Sequence, residues 1–416
     1  MLDTNKNIGS KKIVKDLKHY VSATIFGQGF SIIRSIFIPI LFSPSQLGIW
    51  NLFNVLLGYF ANAHLGLLHG MNKEIPYLRE KKDYKNIELI KDSVFWINLL
   101  LATIVFAILL IASFFVDITY KKYLYVLSIA GFLQLIYVFY FSLLRADLKF
   151  KIVSKGVLGL SILTTVFILL ITTFFTDKLL GSIFSLTISY FLIVIFWALK
   201  SNYNFKFNVD LSVIKKVFLI GLPLIILGFM DSIVMSVDRW VIASKLSKVE
   251  LGYYAIAVMS CNLLALIPSS ISSVLFPRML EKYAVKNDPK DLYSLVIEPM
   301  NVIVTLMLVL ICFSVVLLPL LINIFINKYI PSIEIIEIFL FASFFVAISF
   351  LSGTFLICIN KQAILIKIQI FSSLTILILD TILINFGYGL IGIAIGTIIG
   401  YAIYGISYSF TALYFI

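Results

Sequence analysis

Charge is scarce in this chain. Only 13% of its 416 residues are Asp, Glu, Lys or Arg, where soluble domains average about 25%. Histidine and cysteine are scarcer still, three of each. Cys261, Cys312 and Cys358 all fall in apolar stretches, so they read as packing residues and no disulfide is expected. No Cys/His cluster has metal-ligand spacing, and neither a G-x-x-x-x-G-K-[ST] phosphate loop nor a G-x-S-x-G elbow occurs. These absences remove the basis for an ATP-driven pump or a hydrolase on this chain; no cofactor or catalytic residue is expected. The first 19 residues are polar and basic and lack the short apolar core of a secretory signal, so none is expected.

What fills the chain is apolar: 61% of residues are hydrophobic and the mean hydropathy is +1.05. That composition belongs to an integral membrane protein. A helix needs about 20 apolar residues to cross a bilayer. On that rule the spans run Tyr20–Phe42, Leu47–Leu68, Ser93–Val116, Tyr123–Leu144, Gly156–Phe175, Leu179–Leu199, Val217–Ser244, Leu251–Phe276, Met300–Ile326, Ile335–Cys358, Ile364–Phe386 and Leu390–Phe415. The expected class is all-α, with about twelve transmembrane helices in two six-helix bundles. The two lobes are expected at 1–205 and 206–416.

The formal net charge is +12, but its distribution excludes nucleic acid as a partner. Most Lys and Arg sit in alternate loops, beginning with Lys6, Lys11, Lys12, Lys15 and Lys18 and the loop from Lys73 to Lys91. By the positive-inside rule both termini are cytoplasmic. The longest internal loop is expected near Asn72–Asp92. The loops on the other side are short and leave no room for an inserted soluble domain.

A repeat is visible when Leu47-Gly48 is laid on Leu251-Gly252, so that Ser43–Trp50 matches the turn at Leu246–Tyr254. The offset is close to half the chain. Six spans per half is an even number, so the halves share one orientation and relate by a pseudo-two-fold axis along the membrane normal. At this offset Arg34 falls on Asp238 and Gly27 on Asp231. Pro223, Pro268 and Pro319 mark expected bends. Gly392, Gly396 and Gly400 form a small-xxx-small face for close packing.

Charged residues inside apolar spans carry the functional expectation, because each costs at least about 2.5–3.5 kcal/mol near a bilayer centre. Asp231, Asp238 and Arg239 share one span. The two acids lie two turns apart on one face of a continuous helix. They are either an ion-pair lock between helices or a site for a charged group. Arg34 sits well inside the first span; a salt bridge to an acid is one reading, an anchor for phosphate or an acidic sugar the other. Asp380 has no basic residue near it in sequence and must be protonated, paired or bound to a cation. Asp231, Asp380 and Thr397 together are a candidate oxygen-lined cation site. Arg145 and Lys73 stand at the cytoplasmic mouth, as attractors for an anionic head group or as ordinary positive-inside residues. His64, with Asn51, Asn54 and Asn62 in the same span, reads as a hydrogen-bonded helix contact.

Two regions resemble the O-antigen and capsule repeat-unit flippases of the multidrug/oligosaccharidyl-lipid/polysaccharide exporter superfamily. One runs from Ile38-Pro-Ile-Leu-Phe-Ser-Pro-Ser-Gln-Leu-Gly-Ile-Trp-Asn51 through His64-Leu-Gly-Leu-Leu-His-Gly-Met-Asn-Lys-Glu-Ile-Pro-Tyr77. The other runs from Val237-Asp-Arg-Trp-Val-Ile-Ala-Ser244 through Glu250-Leu-Gly-Tyr-Tyr-Ala255 to Ile267-Pro-Ser-Ser-Ile-Ser-Ser-Val-Leu-Phe-Pro-Arg278. The resemblance implies a non-enzymatic transporter in the bacterial cytoplasmic (inner) membrane. Its substrate would be an undecaprenyl-pyrophosphate-linked glycan, moved from inner to outer leaflet by alternating access. It implies Arg34, Arg239, Arg145 and Lys73 as substrate contacts, and coupling to H+ or Na+ through Asp231, Asp238, Asp380 and Thr397. Membrane lipids, a glycan polymerase and assembly proteins are the implied partners. The rivals are a cation-coupled drug or metabolite antiporter of the same superfamily and, further off, a membrane polysaccharide polymerase.

Overall fold

Fourteen α-helices and three short 3-10 turns make up the described chain, with no strand among the described residues. The structure is a computed structural model. It describes residues 2–416, and their side chains except those of 2–18, 20, 21, 119, 285 and 286. The side chains of Lys6, Lys11, Lys12, Lys15 and Lys18, which weigh in the expected orientation, lie outside the described residues.

The helices are α1 (Leu2–Leu41), α2 (Pro44–Ala61), α3 (Leu67–Glu80), α4 (Tyr84–Ala112), α5 (Ile118–Ala146), α6 (Phe150–Phe174) and α7 (Lys178–Ser201). They continue with α8 (Leu211–Val234), α9 (Val237–Lys245), α10 (Lys248–Lys286), α11 (Tyr293–Phe325), α12 (Ile333–Cys358), α13 (Gln362–Asn385) and α14 (Gly389–Phe415). Among the described residues, eleven segments are long and apolar enough to cross a membrane. The remaining expected span is α2, which is 18 residues long and carries Asn51 and Asn54.

Two places differ from the sequence reading. The expected span Leu47–Leu68 stops at Ala61, where Leu65 and Gly66 take positive φ (52° and 85°) and the Gly66 N–H is held by His64 Nδ1 at 3.1 Å. The expected internal loop is then largely helix, shared between the start of α4 and α3, whose Leu67, Leu68, Met71, Ile75 and Leu78 are buried. The expected continuous span Val217–Ser244 breaks at Met235–Ser236 into α8 and α9. There the Ser236 hydroxyl donates to the Ser232 carbonyl at 2.5 Å, competing with the helical ladder.

The chain forms two compact units. The first comprises residues 1–41 and 56–225; the second comprises 42–55 and 226–416. The first unit therefore continues past position 205 to Ile225, and the second includes the stretch Phe42–Val55. In the first unit α1 packs on α6, α6 on α7, α7 on α5, and α5 on α4 and α3. In the second α9 packs on α13, α13 on α14, α14 on α12, and α12 on α11 and α10. The pairing order repeats, as the sequence repeat requires.

Close approaches use glycine where a side chain has no room. In the first unit a Cβ on Gly70 would run into the Val217 carbonyl, and one on Gly221 into the Gly66 carbonyl. In the second a Cβ on Gly48 would meet the Lys248 carbonyl, and one on Gly252 the Pro44 carbonyl. The segment after α7 is strapped to α4. Trp96 Nε1 donates to Lys206 O (2.8 Å), Asp92 accepts from the Lys206 N–H (3.1 Å), Ser93 Oγ accepts from the Asp210 N–H (3.1 Å), and Phe205 stacks on Phe95 at 3.9 Å.

Candidate functional site

A cluster of buried polar side chains on apolar helices lies in the second unit, where α9, α10, α13 and α14 meet. Asp238, Asp380 and Thr397 are each 0% exposed. Asp238 opens the first turn of α9, and its Oδ1 accepts the Arg239 N–H at 2.7 Å. Its Oδ2 accepts from the Tyr254 hydroxyl of α10 at 2.5 Å. With that proton committed, the Tyr254 oxygen is the acceptor for Thr397 Oγ1 of α14 at 3.0 Å. The result is a three-membered chain, Thr397 to Tyr254 to Asp238.

Asp380 of α13 lies beside this chain, within electrostatic reach of Asp238 and Tyr254. Neither of its carboxyl oxygens has a hydrogen-bond partner among the described residues. It fits because α14 has Gly396 opposite: a Cβ there would overlap Asp380 Oδ1. The small-residue face read from Gly392, Gly396 and Gly400 thus also makes room for a buried acid.

Asp231, on α8, forms a second centre. Its Oδ1 accepts from the Tyr404 hydroxyl at 2.8 Å and from Gln369 Nε2 at 3.5 Å. Tyr404 packs against Tyr408, ring centroids 4.4 Å apart. Asp231 and Asp238 are not on one continuous helix, because the α8–α9 break separates them. Asp231 is bonded to Tyr404 and Gln369, while Thr397 belongs to the Asp238 chain. Asp380 and Thr397 are therefore brought to one centre with Asp238, and Asp231 to its neighbour. No group of three His, Cys, Asp or Glu has the proximity of a metal site among the described residues.

The cations are placed differently. Arg239 is half-buried with a buried, unpartnered Nε, and it makes no ion pair among the described residues. No ion pair from Asp231, Asp238 or Arg239 locks two helices among the described residues; Asp238 takes the Tyr254 hydroxyl of α10 instead. Arg34, in the first unit, is also half-buried and pairs with no acid among the described residues. Lys73 and Arg145 are exposed, Arg145 lying over the Phe141 ring at 5.1 Å. The ion pairs that do form in the first unit are Lys91–Asp147 (2.7 Å), Arg79–Asp147 (3.2 Å), Lys122–Asp177 (2.5 Å) and Lys216–Glu74 (2.5 Å).

Sequence reasoning missed Tyr254, Gln369, Tyr401, Tyr404 and Tyr408. The signal was present: Thr397, Tyr401, Tyr404 and Tyr408 recur at helical spacing on the last span, a hydroxyl-bearing stripe on one face.

A family model described as polysaccharide biosynthesis protein matches residues 41–334. No curated protein is close enough in sequence to match. Among solved structures, the chain is similar to a multidrug resistance MATE family transporter of the MOP superfamily in an inward-facing conformation. The TM-score is 0.78 at 14% identity, covering 95% of this chain and 97% of that one. It is also similar to the Vibrio cholerae MATE transporter VcmN (0.68, 15%, 97% of each). A third is a MOP superfamily transporter from Pyrococcus furiosus (0.62, 14%, 96% and 95%), described as having a binding pocket of reverse polarity. Those identities speak to the fold, while the family match spans well over half of the chain. The chain belongs to the polysaccharide biosynthesis protein family, and its fold is similar to that of the MATE family transporters.

Proposed function

We propose that this protein is a flippase for lipid-linked oligosaccharide repeat units, moving an undecaprenyl-pyrophosphate-linked glycan from the inner to the outer leaflet of a bacterial cytoplasmic membrane by alternating access. The observation that carries this reading is the polysaccharide biosynthesis match over residues 41–334 on a transporter fold. Arg34 and Arg239 are the proposed contacts for pyrophosphate or sugar. Both are half-buried guanidinium groups with no carboxylate partner among the described residues, which leaves their planar forks available for phosphate oxygens. Lys73 and Arg145, exposed, draw the anionic head group toward its entry point. Asp231, Asp238, Asp380 and Thr397 are the proposed ion-coupling residues. The buried acids of the second unit also suit the rival reading, a cation-coupled antiporter for drugs or metabolites.

Deleting the gene in its host separates these readings. Lipid-linked repeat units should accumulate on the cytoplasmic face, and surface polysaccharide should be lost. Arg34→Ala and Arg239→Ala supplied on a plasmid should each restore surface glycan at least about tenfold less well than wild type, the loss of one charge-assisted contact of about 1.5–3 kcal/mol. Single repeats reaching the outer face but staying unpolymerised would move the assignment to a polymerase. Unchanged glycan with increased drug sensitivity would move it to the antiporter.

A further inference from the structure

A row of aromatic rings in the first unit runs between two of its arginines. On α5, Gln134, Tyr137, Phe141 and Arg145 follow one another at steps of three, four and four residues, which places them on one helix face. Tyr137 and Phe141 lie nearly parallel, with ring centroids 6.4 Å apart. The Arg145 guanidinium lies over Phe141 at 5.1 Å and ends the row on that side. At the other end Tyr190 of α7 meets Tyr137 at 5.4 Å, and Arg34 of α1 is within electrostatic reach of Tyr190. Tyr137, Phe141 and Tyr190 are each half-buried, so none of the three is sealed in the core.

The row is held from behind. Tyr137 stacks on Trp197 at 4.7 Å, and Trp197 is 0% exposed. Its Nε1 donates to the Ile152 carbonyl at 3.1 Å, and its indole fills a notch at Gly156, where a Cβ would overlap it. Packing accounts for Trp197 but not for the polar groups along the row. Gln134 is 8% exposed, and its Oε1 is buried with no hydrogen-bond partner among the described residues. Unpaired buried polar atoms are uncommon in folded proteins and ask for an explanation. Arg34 lies well inside a span, where a guanidinium turned to acyl chains would be costly. Together they indicate that this face borders a polar space.

We propose that this face of α5, with Tyr190, is a sugar-binding ledge: pyranose rings of the glycan lie with their C–H faces on Tyr137, Phe141 and Tyr190, and Gln134 Oε1 accepts a hydrogen bond from a sugar hydroxyl or acetamido N–H. The inference rests on the flippase reading above and supplies groups that recognise the glycan rather than the pyrophosphate. A pyranose has apolar C–H faces and a polar rim, which matches aromatic faces beside a few placed polar groups. The guanidiniums at both ends repel a cationic ligand and suit a neutral or acidic sugar. Rings already fixed by Trp197 and Arg145 lose little freedom when a ligand settles on them. Stacking tolerates many sugars, so the amide of Gln134 is the part of the ledge that discriminates among them.

The test uses the full chain in a detergent without a sugar head group. Calorimetric titration compares a short-chain polyprenyl pyrophosphate, bare, with the same lipid carrying a single hexose, N-acetylhexosamine or hexuronic acid. At least one sugar-bearing probe should bind at least about tenfold more tightly than the bare one. Tyr137→Leu and Gln134→Met should each remove most of that gain and leave the affinity for the bare probe unchanged, while Tyr137→Phe, which keeps the ring, should retain it. Gln134→Met takes away a buried acceptor that has no partner, so it should unfold at the wild-type temperature or above. Its loss of sugar affinity is then not a folding defect, and it decides the matter even if Tyr137→Leu fails to fold. A gain that survives in Gln134→Met overturns the ledge. So does a wild type that binds the bare probe and gains from none of the three sugars, with the flippase reading left standing. A wild type that binds neither the bare nor the sugar-bearing probes overturns the flippase reading, and the ledge with it.

Discussion

Asp177 shows how one surface acid holds an end of the first unit together. It caps α7 by accepting the Leu180 N–H at 3.2 Å, and it meets Lys122 at 2.5 Å and the Tyr123 hydroxyl at 2.7 Å. Partial burial pushes its carboxyl up, but Lys122, Tyr123 and the Leu180 N–H outweigh that and hold it below the usual carboxylate range. A carboxyl held down in the folded chain contributes stability above the pH where it ionises unfolded, and loses that contribution as pH falls through its folded value. Asp177→Asn should therefore lower the unfolding midpoint at neutral pH, and the gap to wild type should close below about pH 4. In the second unit, Tyr254→Phe leaves Asp238 Oδ2 without its donor. It should cost about 1–3 kcal/mol in the same measurement, the penalty for stranding a buried polar group. The acids of this centre were legible as residues, since charge inside an apolar run stands out. Their tyrosine partners were not: Tyr254 reaches Asp238 from the next helix and Tyr404 reaches Asp231 from the last, and tyrosine is ordinary in an apolar span.

Among helices, apolar length located nearly every span, because a bilayer-crossing helix has to bury its backbone polarity and meet lipid with apolar side chains. Two features escaped that signal. The α8–α9 break rests on local hydroxyl bonding by Ser232 and Ser236, which hydropathy does not register. Helix α3 is half polar, and only its buried face, anchored through Glu74 to Lys216, distinguishes it from a loop. The crossing of α3 with α8 is set by glycine. Gly70→Ala places a methyl group on the Val217 carbonyl and should destabilise the chain by about 1–3 kcal/mol, the usual range for overpacking. Gly58→Ala, whose Cβ would meet nothing within 4 Å, should be neutral or slightly stabilising in the same thermal assay. Equal effects at the two positions would show that helix propensity, not the crossing, governs the outcome.

For the whole molecule, the repeat predicted two halves, and the pairing order of helices repeats as expected. What the sequence did not disclose is that Phe42–Val55 packs in the second unit and that the first unit extends to Ile225. Membership of a packed unit depends on contacts distant in sequence, which an offset between matching motifs does not encode. A fragment of residues 1–205 lacks the strap on Trp96 and the Gly221 crossing, both supplied by residues after 205. Expressed alone, it should accumulate less and be cleaved faster by protease than a fragment of residues 1–225; detergent-solubilised yield and limited proteolysis measure both. Comparable behaviour would mean that those contacts add little to the unit.

The glycines at the start of α2 and α10 carry one more consequence. Gly48 abuts the carbonyl of Lys248, and Gly252 abuts the carbonyl of Pro44, while the repeat makes Gly48 the counterpart of Gly252 and Pro44 the counterpart of Lys248. Each partner thus offers the other the same pair of positions, which is the isologous contact of a two-fold homodimer. A half-length ancestor pairing with its own copy would have formed this contact twice from one glycine. Fusing two such copies would keep the glycine at both places, and here the matching positions Arg34 and Asp238 carry charges of opposite sign.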